Sequence, residues 1–359
     1  MGKRQFNTDC EGPISRNDNA MELAGHFIPD GEGFFARISR YDDYLSDIAR
    51  KPGYKAGDTL RLILPFLRAY GATNKGIEEY SARHILLMPG AREALDHISR
   101  RMPTFMVSTS YRPYIRSLCK AIGFPLEKAY CTELDIDRYD LKDAEVRRLK
   151  EIREEIACLP IVGLPPGATS FNGLPGESRE AIRRLDAIFW QEISTMECGK
   201  MLSEVNPIGG REKVMAVMDS LKRTGNCLQD VMYVGDSITD VEAFDVIRTG
   251  GGLTVSFNGN RYAIRSAEFA CISGDAAVLS ILAESFLIGG KDAIIRLADD
   301  WNLSILRSVV VPRSVSERIS RMEVLPVFER ISDTNRERLI EQSESFRKSI
   351  RGEEAGSLG

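Results

Sequence analysis

Apolar residues along this chain follow two different periods, and the two alternate. From Ala91 to Arg100, Ala94, Leu95 and Ile98 recur at helical spacing just after the turn Met88-Pro89-Gly90. Thr104-Phe105-Met106-Val107 then forms a short apolar, partly β-branched run. It is followed by the polar Ser108-Thr109-Ser110 and by a second helical pattern carrying Ile115, Leu118 and Ile122. The alternation returns where Val214, Val217, Met218 and Leu221 precede Val231-Met232-Tyr233-Val234. Leu253 to Phe257 and Phe269 to Ile272 add two further strand-like runs, with Asn258-Gly259-Asn260 as a turn. Short, wholly apolar strands between helices predict an α/β fold, a Rossmann-like doubly wound parallel sheet covered on both faces. Its pieces come from residues 1–13, 86–130 and 205–285.

The remaining segments have another character. Residues 14–85 read as a helical cap insertion with Ile63, Leu64 and Leu67 on one face. Residues 131–204 form a second helical insertion. Its charged stretch Arg147-Arg148-Leu149-Lys150-Glu151-Ile152-Arg153-Glu154-Glu155 predicts a solvated helix face stitched by ion pairs, before a loop marked by Pro160, Pro165, Pro166 and Pro175. Residues 286–359 read as a helical C-terminal extension with a disordered end from Glu353 to Gly359. No internal repeat is evident.

Composition narrows the function classes. The 359 residues carry a formal net charge of −4 with basic and acidic side chains interspersed, so no basic stripe exists to follow a nucleic acid. Seven cysteines are scattered without a Cys-x-x-Cys pair, which favours a reduced, cytoplasmic protein without a structural zinc site. The start of the chain lacks the apolar stretch of a signal peptide. The most apolar segments, Leu60 to Leu67 and Val278 to Ile288, are too short and too interrupted for a membrane span. His26, His84 and His97 lack metal-ligand spacing, and surface or capping roles are expected for them.

In open parallel sheets, ligands bind at the carboxyl ends of the strands. Asp9 and Glu11 follow the first strand in Phe-Asn-Thr-Asp-Cys-Glu-Gly-Pro, Ser108 follows the second, and Gly235-Asp236-Ser237-Ile238-Thr239-Asp240 follows the third. Lys213 stands in the first turn of a helix opened by Gly209-Gly210, where its ammonium and free backbone amides can face an anion. Asp9, Asp236 and Asp240 make a carboxylate cluster that calls for a cation. Magnesium, a hard ion that takes oxygen ligands from carboxylates, phosphate and water, suits it. Ordinary uses stay open for each residue: a helix N-cap for Asp240, a surface position for Lys213, a polar strand end for Ser108.

Taken in order, these motifs resemble the haloacid dehalogenase superfamily of phosphatases. Met88-Pro89-Gly90, Val107-Ser108, Lys213 and Leu253-Thr254-Val255-Ser256-Phe257-Asn258-Gly259 look most like the phosphoserine phosphatase branch. The layout around Thr8-Asp9-Cys10-Glu11-Gly12-Pro13 is similar to an archaeal group known as subunit R of an energy-converting hydrogenase. The resemblance implies that Asp9 is a nucleophile forming an aspartyl-phosphate, Glu11 a general acid and base, and Ser108 and Lys213 phosphoryl holders. It also implies that Asp9, Asp236 and the Glu11 backbone carbonyl bind Mg²⁺, with Asp240 beside them. The substrate class would be a small phosphorylated metabolite. The alternatives are a phosphotransferase, or a non-catalytic binding or assembly protein with a protein partner such as a hydrogenase complex. The chain departs from the family pattern in Glu11, where Asp is usual, in Pro13, and in the polar first strand Arg4-Gln5-Phe6-Asn7-Thr8.

Overall fold

The computed structural model describes residues 4–165, 167–322, 324–352 and 356. Seven strands form one sheet: β1 (Gln5–Thr8), β2 (Thr104–Tyr111), β3 (Ala129–Thr132), β4 (Val231–Gly235), β5 (Leu253–Phe257), β6 (Phe269–Ile272) and β7 (Val327–Arg330). Their spatial order is β3-β2-β1-β4-β5-β6-β7. All neighbours pair in parallel except β6 and β7, which are antiparallel. β1 lies centrally with Phe6 opposite Thr104 on one side and Met232 on the other, so Asp9 emerges at the switch point of a doubly wound sheet.

The polar character of β1 has a specific cause. Gln5 and Asn7 point to the same face and are fully buried against the helix Arg211–Thr224. There the Gln5 amide donates to Ser220 Oγ at 2.7 Å and to Asn7 Oδ1 at 2.9 Å, the Asn7 amide donates to Ser220 Oγ at 3.1 Å, and Thr224 donates to Gln5 Oε1 at 2.7 Å. Strand and helix are thus joined by a polar network, which accounts for the polar first strand noted in the sequence.

The segments 14–85 and 131–204 share one apolar cluster. Phe34, Ile63, Phe66 and Leu67 from the first meet Ile152, Ile156 and Phe189 from the second, and Tyr111 at the end of β2 joins them. The Tyr111 hydroxyl donates to the Leu60 carbonyl at 2.5 Å and so ties this cluster to the sheet. The helix Asp143–Cys158 is not solvated all round: Leu149, Ile152, Arg153 and Ile156 are buried. Its other side does carry ion pairs, with Arg148 meeting Glu151 at 3.0 Å and Glu192 at 2.6 Å.

Several elements differ from their sequence patterns. β2 continues to Tyr111, so Ser108 lies inside a strand, next to a register shift against β3 between Val107 and Tyr111. β3 falls where the sequence suggests the start of an insertion. β7 interrupts a segment read as wholly helical, and its alternating burial is that of an edge strand. The inward face of Arg211–Thr224 is rotated: Lys213, Ala216, Val217, Ser220 and Leu221 are buried, while Met218 is exposed. His97 is buried and lies 3.3 Å from Glu284 rather than at the surface. The expected disordered end at 353–359 lies outside the described residues, Gly356 excepted. Among the described residues, no helix is long and apolar enough to cross a membrane.

Candidate active site

The loop after β1 turns sharply. Ile14 N–H and Ser15 N–H both donate to the Cys10 carbonyl, at 3.0 and 2.9 Å, and Gly12 N–H donates to Ser15 O at 2.7 Å. Gly12 has φ +93°, and a Cβ there would lie 2.4 Å from Asp236 Oδ2. The glycine is therefore required twice, by its backbone conformation and by the close approach of β4's loop. This turn leaves the Asp9 and Glu11 side chains on one small cavity of about 80 Å³, which they line together with Asp18, Ser108, Ser110, Asp236 and the arginines 347 and 351. A single water needs only about 10–15 Å³ on this measure, so the space suits a group of phosphate size.

Lys213 is fully buried and its ammonium bridges two carboxylates, Asp9 Oδ2 at 2.5 Å and Asp240 Oδ1 at 2.7 Å. Burial works against its charge, but Asp240 and Asp9 outweigh burial and raise its pKa. The expected free amides around Gly209-Gly210 are already engaged: Gly210 N–H donates to Thr239 O at 3.0 Å, and Lys213 N–H to Gly210 O at 3.1 Å. Asp9 also accepts the Cys10 N–H at 2.6 Å. Burial pushes the Asp9 carboxyl up to about 7 against the pull of Lys213, with Asp240 and Asp236 adding repulsion.

Asp240 serves the loop first. Its Oδ2 accepts the N–H groups of Asp236 at 2.9 Å and Ser237 at 3.1 Å, while Oδ1 accepts Lys213 and the Tyr233 hydroxyl, the latter at 2.9 Å. With four donors it is a clasp that orients Lys213 and shapes the Asp236 loop; its side chain does not cap the helix that follows, as the N-cap use would require, but closes a capping box with Ser237. One oxygen from each of Asp9, Asp236 and Asp240 lies within 4.8 Å of the others, all three residues being buried.

Glu11 points away from that cluster. Its Oε1 accepts the Asn19 N–H at 2.9 Å, at the start of the helix Asn19–Phe27, and the Ser110 hydroxyl at 2.8 Å. Burial first, then repulsion from Asp18, raises its carboxyl to about 8, despite the opposing Arg351. Ser108 is buried at the cavity wall and its Oγ accepts the Ser110 N–H at 3.2 Å. The sequence motifs thus converge, with Asp9, Lys213, Asp236 and Asp240 in one contact network and Glu11 and Ser108 on the adjoining wall.

Among the cavity residues missed from the sequence are the charged Asp18, Asp42, Arg347 and Arg351. The arginines belong to the C-terminal helix Arg336–Arg351 and both donate to Asp236 Oδ2, Arg351 at 3.1 Å. Their signal was spacing: the buried stripe Leu339, Ile340, Ser343, Arg347 continues one turn to Arg351.

The sheet order, with Asp9 after the central strand, Asp236 after its neighbour and Lys213 reaching both Asp9 and Asp240, settles the architecture. This is a Rossmann-like doubly wound α/β fold. No sequence-family model and no curated relative matches the chain. Over its whole length the chain is similar to the structure of a gene product from Archaeoglobus fulgidus, with 29% identity, a TM-score of 0.80, and coverage of 100% of this chain and 99% of that one. It also aligns with a phosphoserine phosphatase solved as a phospho-aspartyl intermediate analogue, with 15% identity, a TM-score of 0.45, and coverage of 76% and 94%. A substrate-bound phosphoserine phosphatase aligns with 14% identity, a TM-score of 0.47, and coverage of 79% and 98%. None of these similarities lends support to a hydrogenase association.

Proposed function

We propose that this chain is a magnesium-dependent phosphohydrolase that cleaves a small phosphomonoester through an aspartyl-phosphate. The observation that carries the reading is Asp9 at the carboxyl end of the central strand, paired with the buried Lys213 and lining a phosphate-sized cavity with Ser108 and Asp236. A fully buried lysine facing two carboxylates is costly as mere structure and useful where phosphoryl charge must be neutralised.

The donor set fits a hard divalent ion. Asp9, Asp236 and Asp240 each place one carboxylate oxygen within 4.8 Å of the others, an all-oxygen donor set. Asp9, Asp236 and the Glu11 carbonyl would hold Mg²⁺, and the ion would supply charge neutralisation on the phosphoryl oxygens. Asp240 stands beside them as the clasp of Lys213.

The chain's own residues then divide the work. Lys213 and the Ser108 hydroxyl hold the phosphoryl oxygens, and an Asp9 oxygen attacks phosphorus as the ester bond breaks. Glu11, protonated near neutral pH in this environment, gives its proton to the departing alkoxide. The resulting Glu11 carboxylate takes a proton from water, whose oxygen attacks phosphorus, releases phosphate and restores Asp9. Phosphate release from a panel of phosphorylated metabolites, with and without Mg²⁺, tests this directly. Hydrolysis of at least one of them only with the ion is expected, and no hydrolysis of any would favour a non-catalytic binding protein built on the same fold.

A further inference from the structure

The C-terminal helix Arg336–Arg351 is anchored at one end and inserted at the other. Leu339 and Ile340 form a small apolar cluster with Ile264 and Ala270, Ser343 donates to the Gly259 carbonyl at 2.6 Å, and Arg261 meets Glu344 at 2.9 Å. One turn further the apolar stripe ends and the inward positions become Arg347 and Arg351. Their side chains are only 4% and 3% exposed.

Both guanidinium groups converge on Asp236. Arg347 reaches its Oδ2 and, at 3.2 Å, its backbone carbonyl, while Arg351 donates to Oδ2 at 3.1 Å and to the Asn17 carbonyl at 2.6 Å. The Nε of each arginine is buried and has no hydrogen-bond partner. Burying two like charges a turn apart is a poor way to fasten a helix, because apolar residues of similar volume would pack at least as well. The arrangement has a different logic: it delivers positive charge to the one carboxylate of the cluster that the loop clasp and Lys213 leave without a cation.

We propose that the end of this helix is a displaceable plug, in which Arg347 and Arg351 hold Asp236 in place of the divalent ion and compete with that ion for it. The inference rests on the metal-dependent reading of the site. An ion at Asp236 would face two buried guanidinium groups of its own sign, so ion and arginines exclude one another. The final turn is suited to withdrawal, since its hold on the site itself is ionic, its own apolar contact is the half-buried Ile350, and the helix's buried apolar anchor lies about two to three turns away at Leu339 and Ile340.

Binding of Mn²⁺ to the full-length chain, read by electron paramagnetic resonance of the free ion, tests the competition without any substrate. The Arg347→Met/Arg351→Met double variant is expected to bind Mn²⁺ at least ~10-fold more tightly than the unsubstituted chain. Equal or weaker binding overturns the proposal. Should the double variant fail to fold, Leu339→Ala/Ile340→Ala decides, because it loosens the anchor and keeps both arginines. Tighter Mn²⁺ binding supports the plug and unchanged binding overturns it. In the unsubstituted chain, saturating Mn²⁺ should speed hydrogen exchange of the amides from 344 to 352, and slower or unchanged exchange counts against withdrawal. Phosphate release reports separately: tighter Mn²⁺ binding without turnover leaves the plug and removes the hydrolase, and turnover with unchanged binding does the reverse.

Discussion

At the scale of single residues, Asp9 and Glu11 are two carboxylates in one cavity to which the proposed mechanism gives different tasks. Asp9 faces Lys213, which favours the charged form a nucleophile needs, although burial lifts it to about 7. Asp9→Asn is nearly isosteric and leaves Lys213 paired with Asp240, so the fold should persist by circular dichroism while phosphate release falls to background. Unchanged turnover would remove the covalent mechanism. As the proposed general acid, Glu11 needs the opposite state: it must be protonated, so activity is expected to fall as pH rises through its value of about 8. Glu11→Gln should slow turnover by ~10²- to 10⁴-fold, the usual range for general acid–base catalysis. Asp18 raises Glu11 by repulsion, so Asp18→Asn should move the alkaline limb of kcat/KM to lower pH. A limb that stays in place or moves up would show that Glu11 does not govern it. Asp9, Glu11, Lys213 and Asp236 were legible in the sequence because each stands at a fixed offset from a strand or helix start. Arg347 was not, since only the tertiary path brings it against Asp236, 111 residues away.

Among the elements, the turn between β1 and the first insertion carries most of the constraint. Gly12 takes a left-handed φ of +93° and leaves no room for a Cβ beside the Asp236 carboxylate. Gly12→Ala should therefore push Asp236 out of position and cost roughly 1–3 kcal/mol from backbone strain alone. Urea unfolding and Mn²⁺ affinity together check it, and full stability with wild-type affinity would show the turn to be more tolerant than its geometry. The strands buried on both faces were readable because β4 is a continuous apolar run, β2 begins with Phe105-Met106-Val107, and β5 is rich in Leu, Val and Phe. β1 deviates because its partner helix offers Ser220 and Thr224 rather than apolar side chains. β7 was hidden for the complementary reason: an antiparallel edge strand of four residues, ending in Glu329 and Arg330, looks like loop or helix end until β6 is seen beside it. The inward face of Arg211–Thr224 was misjudged by about one position because Lys213 and Ser220, polar in sequence, are the residues that turn toward the site and β1.

For the molecule as a whole, buried acids set how stability follows pH. Burial lifts Asp42 to about 8, with Asp58 and Asp43 adding repulsion, although it accepts the Tyr54 hydroxyl at 2.5 Å and the Gly57 N–H at 3.0 Å. Glu11 is raised to about 8, Asp9 and Glu22 to about 7, and Asp43 to about 6. In the unfolded chain such groups titrate near ~4. Between that value and the folded one, the native state binds more protons than the unfolded state, so stability declines as pH climbs through this window. Glu155 and Glu192 act in the other direction: hydrogen bonds from Arg184 and Arg148 lower them, and their contribution is present above ~4 and lost as the solution becomes more acidic. The urea midpoint should therefore be highest near pH ~5 and fall steadily to pH ~8. Asp42→Asn isolates one contributor. The amide oxygen can accept the Gly57 N–H while its NH₂ donates to the Tyr54 oxygen, so the contacts survive without an ionisable proton. The variant should lose less stability than the unsubstituted chain between pH ~5 and ~8 and should be the more stable of the two at the alkaline end. A midpoint that rises over this range, or a variant whose pH slope matches the unsubstituted chain, would show that these carboxyls relax to water on ionisation rather than remaining enclosed.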